Sequence, residues 1–229
     1  MPARAVLFDL DGTLLDTAPD LAAALNATLA LNGRTPLPFE QIRPVVSHGG
    51  RALIERGFGI SPDAPGFEAL RKQLLDLYQA NIARETRLFP GMDSVLDTLE
   101  RSGIPWGVVT NKPGWLTEPL LDALGLRPRA ACVVSGDTLD RRKPDPAPLL
   151  HACALAGCDP CHTLYVGDAE RDIEAGRRAG MPTLAATFGY LLEHEDPADW
   201  GADALIHQPA DILPYVQGRA RTGMEPKSP

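Results

Sequence analysis

Short apolar runs alternate with amphipathic stretches along most of this chain. Ala5-Val6-Leu7-Phe8, Trp106-Gly107-Val108-Val109, Ala131-Cys132-Val133-Val134 and Leu164-Tyr165-Val166 are each too short for a buried helix, and they lead into Asp, Thr, Ser or Gly. Runs of this length, rich in β-branched and aromatic residues and lacking polar alternation, read as parallel strands covered on both faces. Two more runs, 183–187 and 204–206, extend the series. Helical patterns lie between them, near 92–102, 114–124, 146–156 and 170–179. The alternation predicts an α/β fold, a doubly wound, Rossmann-like parallel sheet with helices on both faces.

Between about Leu15 and Leu88 the pattern changes. No convincing strand occurs there. Leu21, Leu25 and Leu29 recur at four-residue spacing, and Phe67, Leu70, Leu74, Leu77 and Ile82 fall on or near one helical face. Pro36, Pro38, Gly49-Gly50 and the segment 62–66 punctuate the gaps. We therefore expect an α/β core formed by 1–14 plus 89–218, with a helical cap of 15–88 inserted after the first strand. Phe89-Pro90-Gly91 would be the return hinge. Residues 219–229 carry almost no apolar side chains and are expected to form a disordered tail.

Composition narrows the function classes. A chain of 229 residues suits one large domain, or a core carrying an insert, and needs no disulfide or structural metal to be stable. With 44% hydrophobic and 23% charged residues it is neither disordered nor fibrous. Lys and Arg number 22 against 30 Asp and Glu, a net charge of −8, which disfavours non-specific binding to nucleic acid or to an anionic membrane. An anionic small molecule would have to find its cations locally. No apolar run approaches the ~18 residues of a membrane span, and the N-terminus does not read as a signal peptide. Four cysteines without an export signal suggest reduced thiols and a cytoplasmic protein.

The candidate chemistry lies at the strand ends, where open α/β sheets bind their ligands. The first strand runs into Asp9-Leu10-Asp11-Gly12-Thr13. Two carboxylates ~4 Å apart repel by ~4 kcal/mol at an effective dielectric near 20, which favours a bound cation or a shared proton. An Asp-Gly turn with solvated carboxylates is the alternative for this segment alone. The second strand ends in Thr110-Asn111, which offers a hydroxyl and backbone N–H groups to phosphate oxygens. After the third comes Lys143-Pro144-Asp145-Pro146, a lysine ahead of what reads as an Asp-capped helix with Pro at its first position. The fourth ends in Gly167-Asp168-Ala169-Glu170-Arg171-Asp172. Acid, hydroxyl, cation and acid thus stand at four successive strand ends, an arrangement that structural needs alone do not call for.

These segments resemble, in order and spacing, the four motifs of the haloacid dehalogenase-like hydrolase superfamily: Phe8 to Thr13, Val109-Thr110-Asn111, Lys143-Pro144-Asp145, and Val166-Gly167-Asp168 through Asp172. The likeness runs from about Ala5 to Ile206, and the inserted helices match the cap such enzymes carry between the first two motifs. Within the superfamily the chain is similar to the phosphoglycolate phosphatase group. Trp106 to Pro113, Phe188-Gly189-Tyr190 and Trp200-Gly201-Ala202-Asp203 are similar, more narrowly, to its bacterial N-acetylmuramic acid 6-phosphate phosphatase branch. The resemblance implies an Mg²⁺-dependent phosphatase acting on a small carboxylate-bearing phosphate monoester. Asp9 would be the nucleophile that forms an aspartyl-phosphate, and Asp11 the general acid and base. Asp9, the Asp11 backbone carbonyl and Asp168 would hold Mg²⁺. Thr110, the Asn111 backbone and Lys143 would neutralise the phosphoryl oxygens, with Asp172 supporting Lys143 or a metal-bound water. A monomer or homodimer is expected, with no nucleic-acid or membrane partner.

Alternatives within and beyond the superfamily stay open. A dehalogenase uses the same nucleophile without a second Asp two positions on, so Asp11 argues against it. Sugar phosphomutases keep both acids but typically carry Val where Thr13 stands here. A non-catalytic phosphate-binding regulator usually lacks an acid or the lysine, and this chain has all of them. In the insert, Ser47-His48-Gly49-Gly50-Arg51 is a candidate substrate-reading loop. Paired glycines admit close backbone approach, and Arg51 can grip a carboxylate with two N–H groups. His48, Gly49, Gly50 and Arg51 are therefore taken as substrate-binding, with a helix–helix turn and a solvated arginine as the alternative. Trp115 and Trp200 are expected to pack. Cys158-Asp159-Pro160-Cys161-His162 has the spacing of c-type haem attachment, but without export it reads as a turn before the fourth strand.

Overall fold

The computed structural model describes residues 2–217. The tail expected at 219–229 and the last position of the expected core segment lie outside them. The strands are β1 (Ala5–Phe8), β2 (Leu15–Asp16), β3 (Arg87–Leu88), β4 (Trp106–Val109), β5 (Cys132–Val134), β6 (Thr163–Gly167), β7 (Thr183–Ala186) and β8 (Ala204–Ile206). The helices are α1 (Ala18–Leu31), α2 (Phe39–Ile42), α3 (Gly49–Phe58), α4 (Phe67–Ala80), α5 (Met92–Arg101), α6 (Gly114–Ala123), α7 (Ala147–Ala156), α8 (Glu170–Arg178) and α9 (Leu213–Val216).

A six-stranded sheet has the order β5-β4-β1-β6-β7-β8, and every pairing in it is parallel. β1 lies between β4 and β6, with Val6 opposite both Trp106 and Leu164. Its residues are all buried because the two faces are covered by different helices. Val6 and Phe8 pack with Met92, Val95 and Leu96 of α5, whereas Leu7 packs with Leu149 and Ala152 of α7 and Ala175 of α8. The expected strands and helices of the core are present, with ends shifted by a residue or so. At the start of α7 Pro146 already has helical dihedrals, and Asp145 Oδ1 accepts from the Ala147 N–H at 2.9 Å, which is the expected Asp cap with Pro at the first position.

The segment between β1 and α5 is mainly helical. Leu21, Leu25 and Leu29 of α1, Leu53 and Ile54 of α3, and Phe67, Leu74 and Tyr78 of α4 form a core continuous with one face of the sheet. Two expectations for this segment need correction. Leu15–Asp16 and Arg87–Leu88 form a two-stranded antiparallel ribbon, pairing Leu15 with Leu88 and Asp16 with Arg87. Strands of two residues leave no periodicity to detect, which is why the sequence reads as strand-free there. Ile82 lies beyond α4, whose C-cap is Asn81. Phe89 N–H donates to the Leu14 carbonyl at 3.3 Å, so the chain returns to the core alongside the segment by which it left.

Candidate active site

The three central strands β4, β1 and β6 deliver Thr110, Asp9 and Asp168 to one edge of the sheet, and the loop after β5 brings Lys143 beside them. All four are at most 3% exposed. Lys143 Nζ lies 2.8 Å from Asp9 Oδ1 and 2.7 Å from Asp172 Oδ1. It also donates to the Val109 carbonyl at 2.9 Å and the Tyr165 hydroxyl at 2.8 Å. The Asn111 side chain fixes the lysine's backbone with paired bonds, Nδ2 donating to Lys143 O and Oδ1 accepting from Lys143 N, each 3.0 Å. A buried ammonium tied this way is a fixed charge.

Asp9, Asp168 and Asp172 offer carboxylate oxygens that all lie within 4.8 Å of one another. Burial raises the pKa of Asp9, with Asp172 adding to the rise and Lys143 and Arg171 opposing it. Burial, then Asp9 and Asp172, push Asp168 up to about 7, against the pull of hydrogen bonds from Tyr190 N and Ser47 Oγ. Hard oxygen donors crowded out of water are the donor set a magnesium ion selects, and a divalent cation would relieve the repulsion. The residues fit such an ion. Asp172 Oδ2 also accepts from Ala169 N at 3.1 Å, so this acid is held by both α8 and Lys143.

Asp11 is oriented differently. Its Oδ1 accepts from Thr17 Oγ1 at 2.6 Å and from Lys112 Nζ at 2.9 Å. Its backbone carbonyl stays at the acid cluster, where the Ser47 hydroxyl lies 2.7 Å from Asp168 Oδ2 and 3.4 Å from Asp11 O. Gly12 permits this closeness. Its φ is +85°, and a Cβ there would come within 2.0 Å of Asp168 Oδ2. Gly189 is similarly constrained, since a Cβ would stand 2.4 Å from Asp168 Cβ and 2.5 Å from Gly12 O. The next residue, Tyr190, donates from its N–H to Asp168 Oδ2 at 2.9 Å, and from its hydroxyl to Asp16 Oδ1 at 2.6 Å in β2. The acid cluster is thereby wired to the ribbon at the two ends of the helical segment.

A cavity of about 740 Å³ opens between the sheet edge and the helical segment, lined by Asp9, Asp11, Thr110 and Asn111 on one side and His48, Gly49, Gly50 and Arg51 on the other. His48 ends a 3-10 turn that covers Arg43–His48, and Gly49, Gly50 and Arg51 open α3. His48 Nε2 lies 3.7 Å from Glu195 Oε1. Burial and the nearby Arg171 charge lower its pKa. Arg51 is exposed to the cavity.

Several lining residues were not singled out from sequence. Lys112 directly follows Thr110-Asn111, and Arg171 lies within the Asp168–Asp172 segment; that adjacency was the available signal. Arg171 Nη2 donates to the Ser47 carbonyl at 2.7 Å, linking α8 to the cap. Arg71, Lys72 and Arg142 add further cations, and nothing in their local sequence separates them from solvated surface charge. Trp200 is packed, at 7% exposure, but Trp115 is not. It is 42% exposed and lines the cavity from the first turn of α6. Cys158 to His162 form the turn before β6. Asp159, Cys161 and His162 cluster there, away from the cavity, and all four cysteines are free.

Residues 6–186 match the model of the haloacid dehalogenase-like hydrolase family. The chain is 45% identical to the N-acetylmuramic acid 6-phosphate phosphatase of Pseudomonas aeruginosa over 93% of its own length and 94% of that protein's. It is 47% identical to the phosphoglycolate phosphatase of Xanthomonas campestris pv. campestris, over 91% and 94% respectively. Among solved structures, a predicted phosphoglycolate phosphatase from Haemophilus somnus superposes with a TM-score of 0.81 at 29% identity, covering 92% of this chain and 96% of that one. Among the described residues, no helix is long and apolar enough to cross a membrane.

Proposed function

Since this chain belongs to the haloacid dehalogenase-like hydrolase family and is a phosphoric monoester hydrolase, we propose that it cleaves a small phosphate monoester bearing a carboxylate, through an aspartyl-phosphate on Asp9. The observation that carries this reading is Lys143, whose buried ammonium is fixed 2.8 Å from Asp9, a residue that lines the cavity. Asp9 attacks phosphorus and the ester oxygen departs, so that one difficult displacement becomes two easier ones. Asp11 gives the departing alkoxide its proton, then takes one from the water that hydrolyses the aspartyl-phosphate. Lys143, the Thr110 hydroxyl and the Asn111 N–H meet the charge that spreads over the phosphoryl oxygens. Asp9, the Asp11 carbonyl and Asp168 would hold Mg²⁺, which when bound supplies the further positive charge that a dianionic ester demands. Asp172 keeps Lys143 in place.

The cap side supports the substrate class. The phosphoryl group occupies Lys143, and a second anionic group needs a cation of its own. Arg51, at the start of α3 beside the Gly49 and Gly50 N–H groups, supplies one, with His48 next to it. Esters named by the relatives, N-acetylmuramic acid 6-phosphate and phosphoglycolate, both carry a carboxylate. A cavity of about 740 Å³ falls in the range of clefts that take drug-sized ligands, ~300–1,000 Å³. That volume, with Trp115 exposed on its wall, favours the amino sugar over the two-carbon acid.

The test is steady-state hydrolysis of N-acetylmuramic acid 6-phosphate, 2-phosphoglycolate and p-nitrophenyl phosphate, with Mg²⁺ and with EDTA. Carboxylated esters should be preferred, EDTA should stop turnover, and Asp9→Asn should abolish it while the protein keeps its fold. Near-normal rates in Asp9→Asn would overturn the nucleophile assignment, and turnover unaffected by EDTA would overturn the metal.

A further inference from the structure

The mechanism above gives no role to a cation that sits directly against Asp11. Lys112 lies in the loop after β4, its side chain only 7% exposed, and Nζ is 2.9 Å from Asp11 Oδ1. The same Nζ stands 4.5 Å from the centroid of Tyr78, a fully buried ring on α4 of the cap. Thr17, the residue between β2 and α1, donates its hydroxyl to the same Asp11 oxygen at 2.6 Å. Three separate parts of the molecule therefore converge on one carboxylate. The core loop supplies the charge, the residue between β2 and α1 supplies a hydroxyl, and the helical segment supplies an aromatic face over the charge.

We propose that Lys112 is a positioning residue that aims Asp11 at the leaving group, and that Tyr78 makes this aim depend on the cap being seated. The inference rests on the phosphatase reading, in which Asp11 protonates the departing alkoxide. Both hydrogen bonds fall on Oδ1, which reserves Oδ2 for the transferred proton. As Asp9 forms its bond to phosphorus, the P–O bond to the alkyl group breaks and the Asp11 carboxyl proton passes to the alkoxide oxygen. Lys112 exchanges no proton in this step. A cation over an aromatic face is held most firmly when both are shielded from water, as Lys112 and Tyr78 are here. Withdrawing α4 would uncover the ammonium, admit water to it and loosen the Lys112–Asp11 contact. An acid aimed only under a seated cap would suppress turnover of esters that do not hold the cap closed.

Leaving-group dependence separates this role from a structural one. A p-nitrophenolate leaves without a proton, whereas an alkoxide from a sugar or a hydroxy acid needs one. A positioned acid contributes ~10²–10⁴ in rate, so Lys112→Met should lower kcat/KM for alkyl phosphates by about 10²-fold and for p-nitrophenyl phosphate by no more than about threefold. Lys112→Arg, which keeps a cation on Asp11, should recover part of the loss on alkyl esters. In Asp11→Asn, adding Lys112→Met should cost nothing further, because residues acting as one unit are not additive. Equal losses on both ester types, or full additivity with Asp11→Asn, would overturn the inference and make Lys112 a fold residue. Activity that survives Asp9→Asn would instead overturn the underlying phosphatase reading.

Discussion

The two walls of the cavity are built to different standards. On the sheet side, Asp9 and Thr110 are almost wholly buried, as are Lys143 and Asp168 beside them, and Lys143 pairs with two carboxylates and donates to a carbonyl and a phenol, all at 2.7–2.9 Å. On the cap side, Arg51 is exposed, His48 meets Glu195 only at 3.7 Å, and Ser47 and Arg171 supply the short contacts across the gap. Burial on the core wall fixes charges before any substrate arrives, which is what stabilising a developing phosphoryl charge requires. Openness on the cap wall leaves side chains free to meet a ligand and lets residues change with little effect on the fold. Under the proposed function, the buried wall would carry the chemistry and the open wall the selectivity.

Cutting the core network should have the largest effect. Lys143→Met strands Asp9 and Asp172 without their cation, and breaking a buried pair this way costs about 3–5 kcal/mol. Urea denaturation should show that loss together with the loss of activity. A variant of wild-type stability would mean the network is less tightly coupled than its distances imply. The cap wall should behave oppositely. Arg51→Ala should change stability by no more than about 0.5 kcal/mol, yet lower kcat/KM for the carboxylated ester by ~30-fold while p-nitrophenyl phosphate falls far less. Equal losses on both substrates would make Arg51 a structural residue of the cap.

A smaller effect sharpens the contrast through pH. Asp168 is raised by burial and by Asp9 and Asp172 to about 7, from an ordinary 3.8. The folded protein therefore binds this proton more tightly than the unfolded chain does. Its contribution to stability is present at low pH and is lost as pH rises from about 4 to about 7. A magnesium ion held by Asp168 would compensate for the ionised carboxylate and compete with the proton below pH 7. Mg²⁺ should thus raise the melting temperature more at pH 8 than at pH 5.5. Identical shifts at both pH values would disconnect Asp168 from the ion.

The sequence by itself determined the doubly wound core, because each buried parallel strand is a continuous apolar run, and Asp9, Thr110 and Asp168 each directly follow theirs. Asp9, Thr110 and Asp168 could be located for that reason, and Lys143 by the capped helix that follows it. The helical character of 15–88 was legible from leucine spacing alone. Tertiary structure decided what depends on partners distant in the chain. The ribbon joins Leu15 to Leu88 through two-residue strands that carry no periodic signal. Lys112 meets Asp11 across 101 positions, and Ser47 reaches Asp168 across 121, so neither contact has a local signature. Trp115, in the first turn of α6, lies on the cavity wall and not in the core. An indole reads the same in sequence on either side of that boundary, and only the packing of α6 against its neighbours determines which side it takes.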